Sequence, residues 1–346
     1  MTSESTRTMV EIARCAGPVA LVGCGTTAPS VDVIVPVHNR ARLLPYTLDS
    51  LLPVHHPGVC VRAIVVDDGS TDQVADVCEG RPDVLLLSQA RQGAPSARNA
   101  GLQRATSPFV LLLDSDDLLS PGFFPPRIRA LQSNPLADGA YGPWVFFRGN
   151  EEFAESLVVR QHSAYPIYPW AERLEHIKNL VGGWYIPPHG MLWRRSALNR
   201  VGGQKPSLPV NQDVDLLFRI LLTGPGIVGV PSAPWAIIRH HDGERQGVIG
   251  RSKAKLAAIL ELRKAFVTEL REGELLDRPG MRENLARYCF NSWRTYRKVY
   301  PGIAEDFLEL SRALFPGLVL PGKLPVRLAS RILGAHTTAI LRDLLG

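Results

Sequence analysis

The chain has 346 residues, a net charge of +6 at pH 7, 45% hydrophobic residues and 21% charged ones. That length allows one large domain or two ordinary ones, and the balance is that of a folded globular protein, which excludes a disordered or fibrous chain. The mild positive excess suits an anionic ligand or a membrane surface, but no aromatic-interleaved basic patch or zinc-finger spacing supports nucleic acid as a partner.

Residues 1–30 place small and polar residues around a short apolar patch, Pro18 to Val22. Leu21-Val22-Gly23-Cys24 superficially resembles a lipoprotein cleavage site, but the apolar core before it is short and holds Gly17 and Pro18, so a disordered extension is expected. The five cysteines (Cys15, Cys24, Cys60, Cys78, Cys289) are odd in number and form no C-x-x-C pair. Neither a zinc site nor a disulfide framework is suggested, and a reducing, cytoplasmic setting is the simpler expectation. No apolar run approaches the roughly 18 residues needed to span a bilayer.

Order is expected from Val31. V-D-V-I-V-P-V at 31–37 is rich in β-branched residues and reads as a strand stopped by Pro36. Asn39 is placed to cap a helix over 41–52 with Leu43, Leu44, Leu48, Leu51 and Leu52 on one side. Val61 to Val66 reads as a second strand, followed by a helix to about Glu79 capped by Ser70 or Thr71; Asp83 to Leu87 reads as a third. A helix over about 96–105 then leads to Pro108-Phe109-Val110-Leu111-Leu112-Leu113-Asp114-Ser115-Asp116-Asp117. Strands alternating with helices on short connections predict an α/β domain with a mostly parallel sheet, a nucleotide-binding half-fold.

The 108–117 stretch organises the rest. Phe109 to Leu113 is an unbroken apolar run, as in a central strand covered on both faces. Ligands of open α/β sheets bind beyond the carboxyl ends of the strands, which is where Asp114, Asp116 and Asp117 fall. Clustered carboxylates repel unless positive charge sits among them, and hard oxygen ligands suit Mg2+ or Mn2+. A solvated acidic loop is the plain alternative. Beyond Pro121 the pattern loosens into strand-like pieces at 142–147 and 190–194, a helix near 171–180 and an amphipathic helix over 213–222. After about Arg251 the chain turns helical, over 252–272 and 282–299.

Seven stretches, V-I-V-P-V-H-N at 33–39, V-V-D-D-G-S-T-D at 65–72, S-A-R-N-A-G-L at 96–102, L-L-D-S-D-D at 112–117, W-R-R-S-A-L at 193–198, V-G-G at 201–203 and Q-D-V-D-L at 212–216, resemble, in order and spacing, glycosyltransferase family 2. The resemblance covers about residues 31–245. It implies the GT-A fold, a catalytic domain over 31–250 (a nucleotide-binding half to 120, an acceptor half beyond) and a helical region over 251–346. It implies further a metal-dependent, inverting transfer of sugar from a nucleotide-diphosphate sugar to a hydroxyl of a glycan, lipid-linked or small-molecule acceptor.

Site roles follow residue by residue from that resemblance. Pro36, His38 and Asn39 lie past the first strand, where a base rests; the family usually has an aromatic at the His38 position. Asp68, supported by Asp67, resembles the carboxylate that accepts from the base N–H, which would favour uracil. Arg98, at the start of a helix, faces the ribose or diphosphate. Asp114 and Ser115 approach the ribose, and Asp116 holds the Mn2+ or Mg2+ ion that bridges the diphosphate oxygens. His241 resembles a family His near metal or diphosphate, with His240 as rival. Gln212-Asp213 stands where the family often has Glu-Asp, making Asp213 the general base, unless it and Asp215 only serve the helix dipole. Trp184, His189 and Gln212 fall on the acceptor side.

Two other classes compete. A non-catalytic nucleotide- or glycan-binding relative would keep the fold but not both the D-x-D and Asp213. A sugar-1-phosphate nucleotidyltransferase would need a glycine-rich loop where Pro36-Val37-His38-Asn39-Arg40 stands. In the tail, Leu324, Leu328, Ile332, Ala335 and Ala339 recur at helical spacing among arginines. That stripe is expected to pack on its own domain, with a peripheral contact to the cytoplasmic face of a membrane as the alternative.

Overall fold

A computed structural model describes residues 28–147, 160–161, 167, 172–239, 252–318 and 334. Most of the N-terminal extension, His240, His241 and the tail stripe lie outside the described residues. The chain divides into two compact units. The first runs to Arg173 and resumes over Ile186–Ser207 and from Gln212 through the last strand; the second holds Leu174–Tyr185, Leu208–Asn211 and the helices after Ser252.

The first unit is mixed α/β. Its strands are β1 (Ser30–Val37), β2 (Cys60–Asp68), β3 (Val84–Gln89), β4 (Phe109–Leu112), β5 (Leu118–Leu119), β6 (Gly139–Tyr141), β7 (Trp144–Phe147), β8 (Arg160–Gln161), β9 (Met191–Arg194), β10 (Ile227–Gly229) and β11 (Ala236–Arg239). Its helices are α1 (Leu44–Asp49), α2 (Val74–Cys78), α3 (Ala94–Arg104), α4 (Phe124–Ser133), α6 (Arg195–Arg200) and α7 (Gln212–Thr223), with α5 (Arg173–Val181) leading into the second unit. Seven strands form one sheet in the order β10-β6-β9-β4-β1-β2-β3, and β5-β11-β7-β8 form another.

β4 is the middle strand of the seven, and its four residues are all buried, as the apolar run requires. It pairs parallel with β1 through Ile34↔Leu112, and β1 pairs parallel with β2 through Val37↔Asp67. The ends of β1, β2 and β4 therefore open on one edge, which collects His38, Asp68 and Asp114. β1 does not stop at Pro36. Ile34 directs its carbonyl to Leu113 N–H (3.0 Å), so Pro36, two residues on, turns its missing donor to the same side, past the last β4 rung.

β9 runs antiparallel between β4 and β6, with Leu111↔Leu192 and Ala140↔Leu192. Its start therefore lies beside the end of β4, which carries His189 to the acidic cluster. Within β1, the fully buried Asp32 is held by Arg62 (2.8 and 2.9 Å) and by the Thr106 and Ser107 amides (2.7 and 2.8 Å), a satisfied buried charge. Gly101 lets α3 lie against the sheet: a Cβ there would fall 2.4 Å from Ile34 Cγ2, which accounts for the glycine of S-A-R-N-A-G-L.

Several expected boundaries are corrected. Residues 41–43 form a turn and α1 begins only at Leu44, because the Asn39 side chain is used elsewhere: its Oδ1 accepts from Thr71 N (2.8 Å) and Thr71 Oγ1 (3.2 Å). Ser70 and Thr71 likewise tie the β1 and β2 loops together, and α2 starts at Val74 without a side-chain cap. Cys60, in β2, is disulfide-bonded, so the all-thiol expectation fails for it; Cys78 and Cys289 are buried thiols outside any disulfide.

The second unit contains α8 (Lys253–Glu272), α9 (Met281–Tyr296) and α10 (Pro301–Leu314). Ser252 Oγ accepts from Lys255 N (3.4 Å) and caps α8. Leu256, Ile259, Leu260, Phe290, Trp293, Phe307 and Leu308 form its core. Among the described residues no helix is long and apolar enough to cross a membrane.

Candidate active site

Two acidic pairs stand at the edge where β1, β2 and β4 end. The first is held by hydrogen bonds from the chain. Asp67 Oδ1 accepts from Ser70 N (2.9 Å). Buried Asp68 accepts at Oδ1 from Gln89 Nε2 (2.7 Å) and Gln92 N (2.8 Å), and at Oδ2 from Gly93 N (2.7 Å), so it pins the loop that enters α3. Gly93 holds φ at +90°, a conformation that favours glycine. His38 Nδ1 lies 3.0 Å from the Asp68 carbonyl, so Nδ1 donates; Nε2 then accepts the longer contact from Asn39 Nδ2 (3.4 Å).

The second pair is crowded and contested. Asp114 receives the Arg98 guanidinium and is 39% exposed; Arg98, itself buried, sits in the second turn of α3. Burial alone would raise the Asp114 carboxyl, but Arg98 and His189 outweigh it and hold it below the usual carboxylate range. The turn Asp117 N to Asp114 O (3.1 Å) folds the chain back, so that Asp117 is buried. Burial, then repulsion from Asp116 and Asp114, pushes the Asp117 carboxyl well above its ordinary value, although Arg239 N donates to its Oδ1 (2.7 Å). Asp116 lies 3.8 Å from Arg40, and its carbonyl accepts from Arg239 Nε (3.2 Å). Ser115 is buried between them.

His189 joins this cluster. Nδ1 stands 3.3 Å from Asp117 Oδ2, neither ring nitrogen makes a well-directed hydrogen bond among the described residues, and burial lowers its basicity despite Asp114 and Asp116. Asp114, Asp117 and His189 bring one ligand atom each within 4.8 Å of one another. Two oxygens and an unengaged imidazole nitrogen are a donor set that a divalent cation fits. The expected ligand Asp116 adjoins this set without being part of it.

Asp213 opens α7. Its Oδ1 accepts from Gln204 Nε2 (2.6 Å), and Gln204 Oε1 accepts from Arg98 NH1 (3.0 Å). Burial raises the Asp213 carboxyl; Arg98 opposes, Asp114 adds to the rise, and Gln204 opposes. Asp114, Arg98, Gln204 and Asp213 thus form one chain of charge-assisted bonds. Ile186, Pro187, Pro188, Met191, Trp193, Leu216 and Leu217 line a small apolar recess with Asp213 at its side. Gln212 stands half-buried at the start of α7. Trp184, expected on the acceptor side, belongs to the second unit, where its ring stacks on His176 (5.5 Å between centroids).

The sequence reading missed Gln204, Gln89 and Arg239, and it did not join His189 to Asp117. Gln204 adjoins V-G-G, and that adjacency was its one available signal.

Comparison with known proteins decides the family. The profile described as Glycosyl transferase family 2 matches residues 32–202. The chain belongs to glycosyltransferase family 2. An uncharacterized glycosyltransferase of Nostoc sp. is 29% identical over 178 residues, 49% of this chain and 52% of the relative. The pre-mycofactocin glycosyltransferase of Mycobacterium tuberculosis is 30% identical over 211 residues, 58% of this chain and 41% of that one. The chain thus spans about half the length of these relatives. Among solved structures, S. aureus TarS 1–349 matches with a TM-score of 0.65 at 17% identity over 92% of both chains, and its complex with UDP with 0.64 at 16%. That likeness establishes the GT-A fold.

Proposed function

We propose that this family 2 chain transfers a sugar from a nucleotide-diphosphate sugar, uridine-linked, to an acceptor hydroxyl with inversion at the anomeric carbon. The observation that carries this is a half-buried carboxyl of raised pKa, Asp213, wired through Gln204 and Arg98 to Asp114 at the strand edge where GT-A folds take nucleotides. The complex of the fold neighbour TarS with UDP agrees with a uridine donor.

Each residue has a task in this reading. Asp68 has about four lone-pair sites and three are taken, so one remains for a base N–H. Asp114, Asp117 and His189, with Asp116 beside them, would hold Mn2+ or Mg2+, whose positive charge would offset the negative charge of the leaving diphosphate. Arg98 adds fixed positive charge beside the same group. Asp213 takes the acceptor proton as the hydroxyl oxygen bonds to the anomeric carbon, and the anomeric C–O bond breaks with its electron pair leaving on the nucleoside diphosphate. No carboxylate among the described site residues is assigned as a nucleophile, so one displacement inverts the centre.

Asp213 must be deprotonated to act, and its folded pKa is raised. Activity is therefore lost as pH falls through a limb above the ordinary carboxylate range, and Asp213→Asn removes at least about 100-fold of kcat. The test is turnover of uridine-diphosphate sugars with Mn2+, followed by NMR of the product anomer. Inverted product, lost in Asp213→Asn, supports the reading; retained configuration, or no turnover with any nucleotide-sugar, overturns it.

A further inference from the structure

We propose that Gln204 is a positioning residue for this reaction, a polar bridge that aims the Asp213 carboxylate and links it to the donor-side Arg98–Asp114 pair. The inference rests on the reading of Asp213 as base.

The amide is oriented by charge at both ends. Its NH2 faces the Asp213 carboxylate at 2.6 Å and its oxygen faces the Arg98 guanidinium at 3.0 Å. A flip would set oxygen against carboxylate and NH2 against guanidinium, so one orientation is enforced. The bond to Asp213 Oδ1 leaves Oδ2 for an acceptor hydroxyl and fixes the plane of the carboxylate.

The backbone of Gln204 is held independently of its side chain. Its N–H donates to Asn99 Oδ1 (2.9 Å) and its carbonyl accepts from Asn99 Nδ2 (2.7 Å), and Asn99 is the neighbour of Arg98 on α3. Gly203, at φ +73°, must lack a Cβ, which would fall 2.3 Å from Asn99 Oδ1. Arg219, anchored on Asp215 (2.8 Å), donates to the carbonyls of Val201 (2.6 Å) and Gly203 (2.8 Å). Asn99, Val201, Gly203, Asp215 and Arg219 therefore fix a loop from which the buried Gln204 side chain reaches between donor side and base. Gln204 itself is 3% exposed. Because these clamps use only backbone atoms of Gln204, side-chain variants keep the loop.

The charged groups that face Asp213 are Arg98 and Asp114. Gln204→Met removes both halves of the bridge; Gln204→Glu keeps an acceptor for Arg98 and turns a carboxylate on Asp213. Steady-state kinetics against pH separate the roles. Expected for Gln204→Met is a kcat about 10- to 100-fold lower, the scale of one hydrogen bond to a charged group, with donor KM within about threefold and the acidic limb moved to higher pH. Gln204→Glu should move the limb further still. Thermal midpoints near wild type confirm that both variants fold. Folded variants with unchanged limb and kcat would overturn the bridge while leaving Asp213 as base. An active Asp213→Asn enzyme would instead overturn the base reading beneath it.

Discussion

The two acidic pairs share a sequence pattern, a position after a buried strand and an edge of the sheet, yet they are held in opposite ways. At Asp67-Asp68 the chain supplies four N–H donors, one to Asp67 and three to Asp68. At Asp114-Ser115-Asp116-Asp117 the Arg98 guanidinium meets Asp114, Arg40 approaches Asp116 and the Arg239 amide meets Asp117, yet the carboxylates are crowded until Asp114 and Asp117 are driven in opposite directions from their ordinary pKa. Hydrogen-bonded carboxylates build a loop; crowded ones with shifted pKa mark a candidate site. The second group, with His189, is where a cation would relieve like-charge repulsion and so let a diphosphate approach.

That contrast can be broken by substitution. Asp114→Ala should lower kcat/KM by about 100-fold or more, the scale of one lost electrostatic contact to a reacting phosphate, and lower the thermal midpoint as well, because the buried Arg98 loses its carboxylate partner. An unchanged kcat/KM would place Asp114 with the structural pair. Asp68→Ala should cost about 2–3 kcal/mol of stability by urea titration because three N–H groups lose a charged acceptor. Gly101→Ala probes the platform under both pairs: with Ile34 Cγ2 at 2.4 Å the cost is about 1–3 kcal/mol, and an unchanged midpoint would deny the close approach of α3. Ser70→Ala removes only an exposed tie to Asn39 N (3.0 Å), so less than about 0.5 kcal/mol is expected.

The same contrast marks what the sequence could tell. β1 to β4 were legible because buried strands leave β-branched and leucine runs, and runs survive in one dimension. The acidic residues were legible as a site because they follow those runs. Their division of labour was not, since nothing local says that Gln89, Gln92 and Gly93 converge on Asp68 and leave Asp117 to His189. That second meeting depends on β9 running antiparallel beside β4, a pairing between residues some 80 positions apart in sequence. Asn39, Ser70 and Thr71 misled for a related reason: short polar side chains cap a helix or tie two loops with the same atoms, and the choice is made by tertiary structure. Gln204 was hidden because a glutamine beside two glycines carries no pattern until Asn99 and Arg219 fix its backbone.

The most direct measurement is the thermal midpoint with uridine nucleotides, with and without Mn2+, for wild type, Asp114→Asn and Ser70→Ala. A ligand that binds the folded state raises the midpoint by mass action. The account predicts a Mn2+-dependent rise with UDP in wild type and Ser70→Ala, abolished in Asp114→Asn. A rise that survives in Asp114→Asn, or no rise with any nucleotide in wild type, would contradict it.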